Sequence, residues 1–367
     1  MKNELFAVAV LAASVAAFCA CNKEPLPSEA VDRGTIELSV EIPGNSPGDT
    51  RTVTAYTETL DGEKKVNGVQ YFIFRSASTT DHSKNVLEID AAMASDASRT
   101  VESVTGSHIV WALVNGPGNL KFANEKQLLD YTACMKLEKN GASSFLMAGS
   151  RTVSVAAGAA ADGKVTVSRF VSRVALREVV NKLPAAYGAV KIVNAFLINV
   201  VAVDNVGGNM ALPTDASLWY NKEGRKDASR SQNVFVTSAS TASAPDMTFK
   251  ALGSVSVASG GSVTPESCNL YAYRNSSTDE PDGWHTTFKP RQTALVLQTL
   301  VNSGSGEKTF YYTVPLKAFD RNCAITVGLT LNHLGSEAPG AVLEIGSINA
   351  SVTVADWTTG AVYNETI

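Results

Sequence analysis

Histidine and cysteine are scarce, with four of one and five of the other in 367 residues. His82, His108, His285 and His333 stand far apart, and none falls in an H-E-x-x-H or comparable metal-ligand spacing. No metal site is expected. Beyond Cys19 and Cys21, only Cys134, Cys268 and Cys323 remain, without a C-x-x-C pair. An odd set of three cannot all pair internally, which argues against a disulfide framework and for small buried hydrophobes. Nucleophile elbow, Walker loop and dinucleotide fingerprint are all missing, so neither an enzyme nor a cofactor is expected. Ser303-Gly304-Ser305-Gly306-Glu307-Lys308 has glycines in a phosphate-like pattern, but it lies between two strand patterns and reads as a hairpin loop. Charge is low too: 18% of residues are charged and the net value is −4, which excludes a nucleic-acid binder. No apolar run after the N-terminus approaches transmembrane length.

What the chain does have begins at its first residues. Lys2 precedes an apolar stretch from Leu5 to Phe18, too short to span a bilayer and proportioned like a signal peptide. Phe18-Cys19-Ala20-Cys21 reads as a bacterial lipobox, with Cys21 the acylated first residue and Phe18 in place of the usual Leu. An ordinary signal peptide cut nearby is the alternative, and either exports the protein. Residues 22–33 are polar and contain proline, as a tether would.

Hydrophobic residues make up 44% of the chain, in short runs separated by Gly, Ser and Asn. This composition points to β-structure. Thr35 to Ile42 alternates cleanly, with Ile36, Leu38, Val40 and Ile42 on one face, and the Pro43 to Asp49 turn cluster ends it ahead of Thr50-Arg51-Thr52. Arginine beside such a turn is open to proteolysis. Further strands read at Val69–Phe74, His108–Val114, Lys164–Val180, Val190–Val203, Val234–Thr237, Val255–Val257 and Asn269–Tyr273, then at Thr293–Val301, Thr309–Val314, Ala324–Leu331 and Val342–Asp356. One helix is expected over Glu125–Lys139. The fold class is all-β, two Greek-key sandwiches with few short helices. The expected divisions are 1–21 (signal), 22–51 (propeptide with the first strand), 52–183 and 184–367. Thr278 to Trp284 is an acidic turn, read as a solvated loop before a calcium site. Trp219-Tyr220 and Trp284 read as packing aromatics before sugar platforms.

Three segments resemble the FimA-type fimbrillins, subunits of type V pili. Ser168-Arg169-Phe170-Val171-Ser172-Arg173-Val174 is similar to the family's R-x-x-A-R-V strand, with Ser172 in place of Ala; Tyr271-Ala272-Tyr273-Arg274-Asn275-Ser276 resembles Y-x-Y-x-N-S; Val352-Thr353-Val354-Ala355-Asp356-Trp357 resembles V-x-V-x-x-W. The resemblance implies two transthyretin-like sandwiches in a lipidated precursor held at the outer membrane. It also implies an arginine-specific protease that cuts after the first strand, other fimbrial subunits as partners, and a fimbria at the cell surface. The matching cut is Arg51/Thr52; Arg33 is the alternative, which would leave the strand attached. Losing Ile36, Leu38, Val40 and Ile42 from a buried face forfeits up to about 6–12 kcal/mol, and a donated strand restores both apolar contacts and ladder hydrogen bonds. Candidate donor residues are Val352, Val354, Trp357, Ala361, Tyr363 and Ile367, though residues 348–357 read equally well as the last strand of their own domain. Residues 1–51 hold four of the 31 basic and seven of the 35 acidic residues, so the chain beyond them is nearly neutral and would not repel its copies. The expected role is a fimbrial stalk subunit; tip or anchor subunits, and a monomeric surface glycan-binding lipoprotein, are the other readings.

Overall fold

The structure, a computed structural model, describes residues 32–43, 60–93, 98–138, 144–221, 246–281, 288–337, 348–356 and 362–366. The first part of the chain forms β1 (Arg33–Glu41), β2 (Val69–Arg75), β3 (Leu87–Met93), β4 (Arg99–Val104), β5 (Gly106–Val114), α1 (Glu125–Asp130), β6 (Thr132–Cys134), β7 (Met147–Val155), β8 (Ala160–Thr166) and β9 (Ser168–Arg169). These make a three-stranded sheet, β4-β1-β8, and a five-stranded sheet, β3-β2-β5-β7-β9. Ile36, Leu38 and Val165 from the first meet Tyr71, Ile73, Val110 and Val153 from the second in one core.

The rest forms β10 (Val171–Asn181), β11 (Val190–Ile198), β12 (Val200–Val201), β13 (Val203–Asn205), β14 (Trp219–Tyr220), β15 (Phe249–Val257), β16 (Ser262–Val263), β17 (Asn269–Tyr273), β18 (Ala294–Asn302), β19 (Glu307–Pro315), β20 (Cys323–Leu331), β21 (Ile348–Asp356) and β22 (Val362–Thr366). One sheet runs β16-β10-β20-β21-β22, with β17 also on β10, and faces a sheet ordered β15-β11-β18-β19. The chain is thus all-β and built from sandwiches. Among the described residues no helix is long and apolar enough to cross a membrane.

Local sequence explains much of this. In β2 the run Val69-Gln70-Tyr71-Phe72-Ile73-Phe74 does not alternate because both faces are buried. Tyr71 and Ile73 join the first core, while Phe72 and Phe74 join the larger core with the second sandwich. In β11 the inward set changes phase, from Val190 and Ile192 to Ala195 and Leu197, and a bulge between Ile192 and Asn194 absorbs the extra residue. The Ser303–Gly306 loop closes the β18–β19 hairpin, with Ser303 N–H donating to Gly306 O at 3.1 Å.

Three expectations change. The helix stops at Asp130 rather than Lys139: Asn124 caps its start, but Tyr131 turns extended and Thr132–Cys134 pairs with β13, tertiary pairing that overrides the periodic pattern. Lys164–Val180 is not one strand but β8, β9 and β10, which belong to three sheets. β9 pairs with β7, whereas β10 pairs with β17 and β20. Val190–Val203 likewise breaks at Asn199, whose φ of 53° leaves the strand region. Val234–Thr237 lies outside the described residues.

The seam between the sandwiches buries acids. Glu138 accepts from the Tyr273 hydroxyl and from Leu146 N–H, and burial pushes its carboxyl up to about 8. Between the ordinary value of 4.5 and 8, the folded chain holds a proton that the unfolded chain has released. Stability therefore falls as pH rises through that window, by up to about tenfold in the folding equilibrium per pH unit. Denaturant midpoints measured from pH 4.5 to 8 should show this fall, and Glu138→Gln should flatten it.

Candidate functional site

The strand expected to be removable lies at the centre of its sheet. β1 runs antiparallel to β4, with Ile36 opposite Val101, and parallel to β8, with Leu38 opposite Gly163. Ile36 and Leu38 are wholly buried and Ile42 nearly so. Val40 is half-buried because β4 reaches only as far as Leu38, leaving β8 alone beside it. Two glycines make the close approach possible. A Cβ on Gly163 would lie 2.5 Å from Ile36 Cγ2, and one on Gly34 would lie 2.3 Å from Ala156 O.

The decisive feature is what β4 and β8 pair with besides β1. Among the described residues neither has another ladder partner. Taking β1 away would leave two facing rows of unmade backbone hydrogen bonds, separated by the width of one strand, roughly 9.5 Å from wall to wall. Because the walls run antiparallel to each other, a strand entering in either direction makes one antiparallel and one parallel ladder.

Arg33, the alternative cleavage point, is inside β1. Its carbonyl accepts from Gly158 N–H at 2.8 Å, and its side chain lies 3.8 Å from Glu102. Cys21, Arg51 and Thr52 lie outside the described residues, as do Trp357, Ala361 and Ile367.

At the other end of the chain, β21 pairs along its whole length with β20, and Ala350 and Val352 are buried there. Among the described residues β22 pairs with β21 alone, placing Tyr363 opposite Val354, and it ends the sheet. Val352 therefore stands in the chain's own sandwich and Tyr363 on an edge strand.

Solved structures share this fold. A fimbrilin from Porphyromonas gingivalis superposes with a TM-score of 0.56 at 11% identity, over 89% of this chain and 98% of that one. The chain has the fimbrillin fold. A candidate cell-adhesion protein from Bacteroides eggerthii gives 0.59 at 16% identity, covering 89% of this chain and 96% of its own. Another from Parabacteroides distasonis gives 0.57 at 14%, covering 89% and 99%. No family model matches the sequence, and no curated protein matches it.

Within this fimbrillin fold, the residues that carried the resemblance turn out to hold the seam. Arg173 Nη1 donates to both oxygens of Glu63 at 3.0 and 3.1 Å, and the Tyr271 hydroxyl donates to the same carboxylate at 2.8 Å. Arg169 Nε donates to the Glu63 carbonyl at 2.8 Å, and burial draws its guanidinium down to about 10. Tyr273 serves Glu138 in the same way, and Asn275 Nδ2 donates to Arg291 O at 2.8 Å. Sequence reasoning found these motif positions but not their partners. Glu63 lies on a single 3-10 turn and Glu138 just after another, neither with a sequence pattern of its own, and only the arginines in a buried strand signalled that buried acids must exist.

Among the described residues no three His, Cys, Asp or Glu side chains could share a metal ion. Trp219 is buried, donating to Pro213 O at 2.9 Å and packing on Phe288, so it packs rather than offering an open platform. Cys134, Cys268 and Cys323 form no disulfide.

Proposed function

We propose that this chain is a subunit of a surface fimbria, of the stalk, made as a lipid-tethered precursor and assembled by exchange of strands. Cys21 carries the lipid to the outer membrane, an arginine-specific protease cuts between Arg51 and Thr52, and β1 leaves with the propeptide. A C-terminal segment from a second copy, or from another fimbrial subunit, then enters between β4 and β8. The observation that carries this reading is that, among the described residues, β1 is the sole ladder partner of both walls. The shared fold with a fimbrilin supports it further.

The tail supports a choice of donor. Freeing β21 would break a nine-residue ladder and expose Ala350 and Val352, whereas β22 gives up five residues of pairing on one side only. The donor is therefore assigned to residues 358–367, with Ala361, Tyr363 and Ile367 as its apolar positions, and Val352 and Val354 stay in the chain's own sheet.

The test is digestion of the purified full-length precursor. The precursor is expected to be monomeric, and cleavage to yield a species beginning at Thr52 that runs as ladders on unboiled gels. The Arg33–Gly34 bond should stay intact, because a strand held in two ladders cannot enter a protease cleft. Deleting residues 358–367 should stop the ladders without unfolding the chain. Monomers after complete cleavage would overturn the proposal and favour a monomeric surface protein.

A further inference from the structure

The two walls of the slot are not held equally. β8 follows the turn after β7, carries Val165 into the core, and continues through Val167 into β9, which pairs with β7 at Met147 and Ala148. Its hold on the sandwich is independent of β1. β4 has much less: Arg99, Thr100 and Glu102 are exposed, and only Val101 and Ser103 turn inward. Val101 is half-buried against the core, and Ser103 is 3% exposed.

Ser103 meets His108, a wholly buried side chain on β5. Ser103 Oγ lies 3.1 Å from His108 Nε2, and the same nitrogen lies 2.7 Å from Glu88 Oε2 on β3. His108 Nδ1 donates to Gly106 O at 3.2 Å, since a carbonyl can only accept. Gly106, with φ of 130°, is where β4 turns into β5. One imidazole thus joins the end of β4, the corner that carries it and the neighbouring five-stranded sheet. Another fastening at this corner, Thr105 N–H to Asp32 O at 3.0 Å, would leave with the propeptide.

We infer that His108, through Ser103, is the positioning residue that keeps β4 seated when β1 has gone, so that the slot stays open to one strand instead of losing a wall. This rests on the proposed removal of β1. It makes β8 the fixed wall and β4 the hinged one. While β1 is present its ladder holds β4, and the Ser103 contact is redundant; in the emptied slot it becomes the main polar tie.

The experiment compares the full-length chain with its Ser103→Ala variant by amide hydrogen exchange. Each is measured before cleavage and after cleavage with release of the propeptide, diluted so that no ladder has formed. Before cleavage the two should exchange alike throughout. Afterwards, amides 99–104 should exchange about five- to tenfold faster in the variant, the amount one lost hydrogen bond predicts, while 160–166 should match wild type. The variant should also form ladders more slowly. His108→Gln, which removes the hub, should reproduce the pattern with a larger effect on 99–104. Equal exchange of 99–104 in cleaved wild type and Ser103→Ala would overturn the inference. Should 99–104 and 160–166 of the wild type both stay as protected as in the precursor, strand removal itself is wrong and the inference falls with it.

Discussion

A chain beginning at Thr52, given no strand to refill the slot, should lose up to about 5–10 kcal/mol of stability relative to the precursor. The estimate comes from the side chains that β1 takes with it. Ile36 and Leu38 are fully buried and Ile42 almost so, each giving about 1.5–3 kcal/mol, with a smaller share from half-buried Val40. These are upper values, because an unfolded chain already hides some apolar surface. The loss nonetheless matches the whole stability of an ordinary domain. The walls β4 and β8 would also lose their ladders with β1. Denaturant midpoints should fall steeply, and adding a peptide spanning residues 33–42 should restore most of the difference. A Thr52 chain as stable as the precursor would show that β1 is not structural. Such a deficit also supplies a driving force for polymerisation, since only a strand from elsewhere can make it good.

Glu63→Ala should destabilise the protein by about 3–5 kcal/mol, the usual effect of breaking a buried ion pair from one side. Glu63 is 1% exposed and sits on a single turn of 3-10 helix, about a dozen residues after Arg51. Its carboxylate accepts two bonds from Arg173 and one from Tyr271, and it also accepts from Leu60 N–H at 2.8 Å. Burial, together with the Glu63 charge, pushes the Tyr271 hydroxyl far above its ordinary range. Removing the carboxylate would leave the Arg173 guanidinium in the seam without its counter-charge. Glu63→Leu combined with Arg173→Met should recover most of the loss, because an apolar pair of similar volume avoids the desolvation penalty. Urea unfolding of the three chains checks this, and an unchanged midpoint for Glu63→Ala would overturn it. The cluster would give a chain cut after Arg51 a fixed anchor in the seam, independent of β1.

Much of the architecture is legible in the sequence because its physics is local. The alternation of Ile36, Leu38, Val40 and Ile42 is the geometry of a strand with one wet face, and three of the four are buried as that pattern requires. Glycines and serines at 303–306 close a hairpin for the same reason. The helix over 125–139 failed where local periodicity competed with a ladder: Thr132–Cys134 gains hydrogen bonds from β13 that a continued helix could not match. The run Lys164–Val180 reads as one strand because extended, apolar-rich sequence continues through β8, β9 and β10, although the three join different sheets.

The sequence by itself determined that the chain is β-rich, that its first strand is amphipathic, and that metal-ligand spacings and catalytic motifs are missing. These follow from composition and from periods of two residues. Only the tertiary structure decided that, among the described residues, this first strand is the sole ladder partner of both its neighbours and β22 ends its sheet, that Arg33 is locked inside β1, that β21 belongs to its own sandwich, and which acids Arg173, Tyr271 and Tyr273 meet. Those facts depend on which distant segments the fold brings together, and pairing between distant strands leaves no mark in the spacing of either one.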